Sequence, residues 1–423
     1  MILDFHDEEI EKSIPRRLEV DLRSSRMITT AGFRRCGKST YMTQIITNLL
    51  GSGVPMDRIV CINFVDERIR PHKTEVLASI VETYYTLYPD NQDSTVHWFF
   101  DEIHLVPEWE YFIDRLNRRR ENRVYITGST SRLTSGEIAS VLRGRSLVYE
   151  LFPFSFKEIL DRDGIDSTRL STRTINRIRS AFDDYLMKGG MPETFGMDPK
   201  TRHNTLSSYY WTVLLRDLIE RHNTQDATPI ETAMKMITNS VGSPVSVNRL
   251  ANSLRSLGYR VSNTMVSEYM HWLGEAYYLF QVPIFTRSEK KRRVNPQKIY
   301  IIDNGILNSV TIRFNDNLGV LLENLVFLHL RRLPGDIYYF KNKNGHEVDF
   351  VTESVDEGIR LWQVCWDISD ERTLERELRA IGSAFEELGV GSATLITHNE
   401  SRTIGLENGS VRVVPAWELL SEF

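Results

Sequence analysis

A chain of 423 residues, 41% hydrophobic and 26% charged, has the composition of a soluble globular protein and is too long for one ordinary core, so two to four domains are expected. A formal net charge of −5 excludes a protein that coats nucleic acid along its whole surface and confines any DNA contact to a local basic patch. Three cysteines, Cys36, Cys61 and Cys365, lack metal-ligand spacing, and no basic-then-apolar start or run of about 18 apolar residues is present; the expectation is a cytoplasmic protein with no membrane partner.

Residues 25–31, SRMITTA, are β-prone, GFRRCGKST follows, and YMTQIITNLL carries apolar residues at helical spacing, which predicts strand, loop and helix. Gly32, Phe33, Arg34, Arg35, Cys36, Gly37, Lys38 and Ser39 match G-x-x-x-x-G-K-S, in which backbone N–H groups curl around phosphate at a helix N-terminus. With Thr40 they form the expected ATP-binding segment. Lys38 is expected on the β- and γ-phosphates, Ser39 on Mg2+ through its hydroxyl, and Thr40 at the α-phosphate or as helix cap.

A second motif, STVHWFFDEIH, ends an aromatic and β-branched run with Asp101 and Glu102. That order suits one carboxylate on magnesium and the next beside an attacking water, so Asp101 is the candidate metal residue and Glu102 the candidate base. RVYITGSTSRL reads as another buried strand, and Ser129 or Thr130 at its end is a candidate partner of the γ-phosphate or the water. DEIH is also a helicase-type box, but no second core of that kind follows.

LRGR supplies Arg143 and Arg145, suited to a γ-phosphate gaining charge in the same subunit or in a neighbour, with a structural salt bridge as the competing reading. Arg216 and Arg221 lie five apart on an expected helix, off the i,i+4 spacing, and rank below Arg145.

Residues 160–225 read as mostly helical, broken by Gly189, Gly190 and Pro192, like a small lid. Helix, turn at Gly258, helix, β-prone run, the basic tip SEKKRR and a second run KIYIID then suggest a winged helix-turn-helix. It offers Ser262, Asn263, Thr264 and Ser267 to a groove, and Lys290, Lys291, Arg292 and Arg293 to phosphates of double-stranded DNA. In the last hundred residues LLENLVFLHLRR reads as an amphipathic helix, IYYFKNKNGHEVDFVTE as a hairpin, LWQVCW as a strand and ERTLERELRAIGSAFEELG as a helix.

INFVDERI, FFDEIHLVPEWEYFIDRL, VYITGSTSRL, LRGRSLVYELFPFSFKEIL, YLMKGGMPE and LLRDLIERHN, in that order, resemble the prokaryotic AAA-type ATPases that carry a winged helix and a C-terminal nuclease-like domain. The resemblance covers nearly the whole chain and implies an α/β P-loop core with a parallel sheet. It places Asp66, Glu67 and Arg68 near the nucleotide. The C-terminal segment is similar to a restriction-endonuclease-like core, in which Glu323, Asp349 and an E/Q-x-K strand would gather magnesium. Gln363 fits, but Cys365 stands where lysine is expected, so the module reads as degenerate unless Lys341 or Lys343 substitutes.

The domains are therefore expected at 1–160 (ATPase core), 161–225 (helical lid), 226–312 (winged helix-turn-helix) and 313–423 (nuclease-like domain). The function expected is an ATP-binding and ATP-hydrolysing switch coupled to DNA or partner-protein binding. The alternatives are an ATP-gated DNA nuclease, and an adaptor with little turnover whose site is completed in a homo-oligomer when Arg145 arrives from a neighbour.

Overall fold

Five short runs containing β-branched or aromatic residues become strands: β1 (Met27–Ala31), β2 (Ile59–Asn63), β3 (Val96–Asp101), β4 (Asn122–Gly128) and β5 (Ser146–Glu150). In this computed structural model they form one sheet in the order β2-β3-β4-β1-β5, with every pairing parallel. All residues of β1 and β3 are buried, as in a parallel sheet covered on both faces. β4 follows β1 and β3 in the chain yet pairs with both, Ala31 standing opposite Gly128 and Phe100 opposite Ile126.

The structure describes residues 1–134, 144–311 and 318–422, which divide into two compact units, Met1–Phe152 with Glu275–Tyr277, and Pro153–Gly274 with Tyr278–Phe423. In the first unit the sheet is accompanied by α1 (Ile2–Asp7), α2 (Lys38–Gly51), α3 (Thr74–Leu87) and α4 (Trp109–Asn117). The buried residues of α2 are Lys38, Tyr41, Met42, Ile45, Ile46 and Leu49, a stripe at 3.6-residue spacing. An extended N-terminal segment is pinned to this helix: Gln44 Nε2 donates to Ile14 O at 2.6 Å, and Tyr41 Oη to Leu18 O at 2.7 Å.

The second unit begins with α5 (Phe156–Arg162), whose Ser155 and Glu158 form a reciprocal capping box. α6 (Thr172–Lys188) ends at Gly189, at φ 72°, and α7 (Pro199–Thr212) passes into a π-helix, Val213–Glu220. There Arg221 N donates to Arg216 O, a five-residue bond, so the spacing that ranked these two arginines low on α-helical geometry is one backbone turn here. Next come α8 (Thr228–Thr238), β6 (Pro244–Val245), α9 (Val247–Ser256), α10 (Asn263–Glu275), β7 (Leu279–Val282) and β8 (Gln297–Ile301). The three strands pair antiparallel in the order β6-β8-β7. The basic stretch expected as a hairpin tip is a short helix, α11 (Glu289–Val294), because Ser288 caps it by accepting from Lys291 N and Glu289 pairs with Arg292 and Arg293.

α12 (Asn304–Val310) and α13 (Leu318–Leu330) lead to a six-stranded sheet, β13-β14-β12-β11-β10-β9. It consists of β9 (Asp336–Lys341), β10 (Glu347–Ser354), β11 (Gly358–Val364), β12 (Ser392–Thr397), β13 (Arg402–Leu406) and β14 (Gly409–Pro415). β9, β10 and β11 pair antiparallel, while β11, β12 and β14 pair parallel. α14 (Glu371–Leu388) lays Ala380, Ile381, Ala384 and Phe385 into a core with Val348, Val351, Leu361, Leu395, Val411 and Val413. α13 was expected to be amphipathic, but every residue from Asn324 to Leu330 is buried, because the helix packs against α6, β8, β10 and β11. A buried asparagine on such a helix needs internal partners. Asn324 accepts from Ile301 N at 2.9 Å and donates to Ile301 O at 3.0 Å and Asn304 Oδ1 at 2.9 Å.

The Gly189-Gly190 pair that ends α6 is explained by Asp303, the cap of α12. A Cβ on Gly189 would lie 2.2 Å from Asp303 Oδ1, and Gly190 N donates to Asp303 Oδ2 at 2.7 Å. Burial pushes the Asp303 carboxyl up to about 6 despite the N–H donors of Gly190, Ile306 and Gly305. A carboxyl raised above its ordinary value of 3.8 contributes stability below that value and loses it as pH rises through about 6. Urea midpoints measured from pH 4 to 6.5 should show this decline in the wild type, and Asp303→Asn should remove that component of the slope.

Candidate functional site

The first unit gathers its polar groups where β1, β3 and β4 end. A Cβ on Gly32 would lie 2.2 Å from Leu151 O, which only glycine tolerates, and Gly37 takes φ 98° as the residue before α2. Gly37 has no side chain with which to cap α2, so the helix begins without a side-chain cap from its N-cap residue. Arg16 braces the loop from the N-terminal segment, donating to Cys36 O at 2.9 Å and to Phe152 O at 2.6 Å. Cys36 Sγ donates to Leu151 O at 3.2 Å, and burial pushes its thiol up, so it packs as a small apolar group. Phe33 is buried, Arg34 half-buried, and Arg35, Ser39 and Thr40 are exposed. Thr40 lies in the first turn of α2, and the cap position belongs to Gly37, so the capping role considered for Thr40 is not taken.

Lys38 is 4% exposed, and its Nζ donates to Gly32 O at 3.1 Å and Phe33 O at 3.0 Å while lying 3.6 Å from Glu102 Oε1. Ser39 Oγ donates to Asp101 Oδ2 at 2.7 Å. Thr127 Oγ1, on β4, donates to Asp101 Oδ1 and accepts from Glu102 N at 3.1 Å, so one hydroxyl ties the ends of β3 and β4 together. Burial raises the Asp101 carboxyl, and the Thr127 and Ser39 hydroxyls oppose that shift.

Glu102 adopts φ 55° and ψ 37°, a left-handed conformation uncommon for a residue with a Cβ. Its Oε2 accepts from Ser129 N and Ser129 Oγ, each at 3.1 Å, and lies 3.4 Å from His104 Nδ1. Burial alone would raise this carboxyl, but Lys38, His104 and the Ser129 donors together hold it below its ordinary value. Gly128 makes room for the arrangement: a Cβ there would lie 2.4 Å from Leu133 Cδ1 and 2.8 Å from His104 Nδ1.

The structure thus brings Lys38, Ser39, Asp101, Glu102 and Ser129 together and adds Thr127, His104 and Arg16, which sequence reasoning did not select. Thr127 and His104 sit within motifs already in view, whereas nothing local marks Arg16. Arg145 is not brought to this group. It precedes β5, level with the start of β1, so a strand's length of roughly 15 Å separates it from the loop that follows β1. It pairs instead with Asp114 at 2.9 Å, the competing salt-bridge reading. Arg143 lies outside the described residues. Asp66 caps a short turn by accepting from Arg68 N, and Arg68 also pairs with Asp4 at 2.7 Å, so Asp66 and Arg68 are held in an exposed ion-pair cluster. Glu67 begins that turn.

In the second unit Arg216 is exposed, and Arg221 pairs with the buried Asp217 at 2.7 Å. Ser262, Asn263, Thr264 and Ser267 are exposed at the start of α10. Lys290, Lys291 and Arg293 are exposed, while Arg292 donates to Thr286 O at 2.9 Å and lies over the Tyr338 ring. Glu323 and Asp349 are brought together, but the lysine beside them is Lys298 of β8. Lys341 pairs with the outer oxygen of Glu347, Lys343 is exposed, and Cys365 Sγ donates to Asp367 O. Burial pushes the Glu323 carboxyl up to about 7.

Serine and aspartate oxygens 2.7 Å apart beside an uncapped helix N-terminus are the donor chemistry that suits a magnesium-bound polyphosphate. Residues 24–160 match the protein-family profile described as AAA domain, and residues 179–317 match one described as a domain of unknown function, DUF8612. The N-terminal region is therefore an AAA-type P-loop domain on a five-stranded parallel sheet. The chain is 32% identical over 419 residues to an uncharacterized protein of Methanocaldococcus jannaschii, covering 96% of this chain and 91% of that protein, and it belongs to the same family. An uncharacterized protein of Haemophilus influenzae is 26% identical over 340 residues, covering 80% and 82% of the two chains. Among solved structures, the Walker-type ATPase PABY2304 of Pyrococcus abyssi aligns with a TM-score of 0.43 at 13% identity, over 68% of this chain and 91% of that one. Among the described residues no helix is long and apolar enough to cross a membrane.

Replacing Thr127 by valine keeps the shape but removes the donor to Asp101 and the acceptor for Glu102 N. We expect a loss of about 1–3 kcal/mol in chemical denaturation; an unchanged midpoint would mean that the hydroxyl does not join the two strand ends.

Proposed function

We propose that the protein is a magnesium-dependent ATPase acting as a molecular switch, with nucleotide state coupled to the binding of duplex DNA or a protein partner. The observation that carries this reading is the insertion of β4 between β1 and β3, which gathers a phosphate loop, a buried lysine and two consecutive carboxylates at one end of the sheet. Lys38, held on the carbonyls of its own loop, is placed to exchange Gly32 O and Phe33 O for the outer phosphates of ATP. Ser39 and Asp101 would hold magnesium, which when bound supplies positive charge to the phosphate oxygens. Glu102 is the base, taking the proton of the attacking water at its carboxylate, and Ser129 positions that carboxylate through two hydrogen bonds.

The output end is read as a winged helix-turn-helix built from α8, α9, α10 and the β6-β8-β7 sheet, with the turn at Gly258, φ 92°. Exposed Asn263, Thr264 and Ser267 on α10 and Lys290, Lys291 and Arg293 on α11 are the groups offered to a groove and its phosphates. The six-stranded domain that follows is read as nuclease-like in topology, with α13, β9, β10, β11 and α14 in the order such a core requires.

ATP hydrolysis by the purified protein tests the central claim. Wild type should turn over ATP, duplex DNA should accelerate it, Lys38→Ala should lose nucleotide binding, and Glu102→Gln should keep binding while losing about 10²–10⁴-fold in kcat. A wild type that binds ATP without hydrolysing it defeats the switch reading in favour of an adaptor. Ser129→Ala should lower kcat by a smaller factor with little change in KM, because Ser129 N–H remains on Glu102 while the hydroxyl is lost.

A further inference from the structure

Lys298 belongs to β8 of the three-stranded sheet, yet its side chain ends in the carboxylates of the C-terminal domain. It is 2% exposed, and its Nζ lies 2.7 Å from Asp349 Oδ1, 3.0 Å from Glu347 Oε1 and 3.1 Å from Glu323 Oε1. An ammonium has three N–H donors, and here it has three carboxylate oxygens around it. The carboxylates come from two elements: Glu323 from α13, and Glu347 and Asp349 from β10. A register shift between Val348 and Val351 bulges β10 at Asp349, the kind of irregularity that re-aims a side chain.

Other groups hold the carboxylates in this arrangement. Tyr300 Oη donates to Glu323 Oε1 at 2.6 Å, Val364 N to Asp349 Oδ2 at 2.9 Å, and Lys341 Nζ to Glu347 Oε2 at 2.9 Å. The two positions that a metal-dependent nuclease of this topology would use, Gln363 on β11 and Cys365 just after it, are turned to other tasks. Gln363 Oε1 accepts from Asp349 N while its Nε2 donates to Glu377 at 2.6 Å, and Cys365 Sγ donates to Asp367 O.

A magnesium ion in this nest would sit about 2.0–2.1 Å from carboxylate oxygens that already surround an ammonium. A dication beside a buried monocation at that range is strongly repelled, so the two compete for one seat. We propose that the Lys298 ammonium is the resident cation of the Glu323–Glu347–Asp349 cluster, occupying the seat of a divalent metal. The C-terminal domain then does not cleave nucleic acid, and it is latched through Lys298 to the three-stranded sheet; removing the ammonium opens a divalent-cation site. This inference is independent of the ATPase reading, since no residue of the first unit enters it.

Manganese titration of the full-length protein without nucleotide, followed by the electron paramagnetic resonance of free Mn2+, tests the proposal. Wild type and Asp349→Asn should bind the same number of Mn2+ ions. Lys298→Met should bind one more, and Lys298→Met combined with Asp349→Asn should lose it again. An ion bound by wild type and lost in Asp349→Asn overturns the proposal, as does a folded Lys298→Met protein that gains none. Should Lys298→Met not fold, the wild-type comparison still decides, together with a plasmid-nicking assay in Mg2+ and Mn2+. No nicking is expected from wild type, and nicking abolished by Asp349→Asn or by Glu347→Gln would refute the resident ammonium.

Discussion

The pairing of β4 with both β1 and β3 is the constraint on which the N-terminal unit depends. It places the end of a late strand between a phosphate loop and a carboxylate pair made earlier in the chain, and Thr127 fastens the junction by bonding Asp101 and Glu102 N at once. With that geometry imposed, Ser129 meets Glu102, Lys38 lies between its loop and Glu102, and Ser39 meets Asp101. None of these contacts is local in sequence apart from those of Lys38 to its own loop. The charges are poised against one another: buried Asp101 is pushed up while Glu102, its neighbour in the chain, is held down by Lys38 and His104. Two adjacent carboxylates with opposite shifts are suited to different tasks.

The C-terminal unit uses buried polar groups for a different purpose, tying together segments distant in the chain. Asp303 joins the end of α6 to α12, Asn324 joins α13 to the end of β8, and Lys298 joins β8 to α13 and β10. Each is satisfied by several partners, as burial demands. β8 therefore belongs as much to the C-terminal domain as to the three-stranded sheet in which it pairs.

Several expectations changed for identifiable reasons. Arg145 suits a γ-phosphate gaining charge by the chemistry of its guanidinium, but within the subunit the parallel sheet puts the start of β5 at the opposite end from the loop. Arg216 and Arg221 ranked low on α-helical spacing, and the π-helix changes what five residues mean. α13 has too little polarity on any side to be a surface helix, and its contacts bury it throughout.

What the sequence by itself determined is the chemistry carried by contiguous residues. Gly32 to Ser39 encode a phosphate loop because glycine spacing, the lysine and the helix that follows are all local, and Asp101-Glu102 at the end of an apolar run is local as well. β1, β3 and β4 are legible for the same reason, since their burial follows from short β-branched and aromatic runs, whereas the short run at 146–150 does not by itself mark β5 as a strand. Tertiary structure alone decided which distant side chains meet: Thr127 on the carboxylates, Ser129, already a candidate from its motif, on Glu102, Arg16 on the loop, and Lys298 beside Glu323 and Asp349, where the sequence offers Lys341 or Lys343. Strand order and bulges arise from packing between segments tens to hundreds of residues apart, and no periodicity within one segment records which partner it meets.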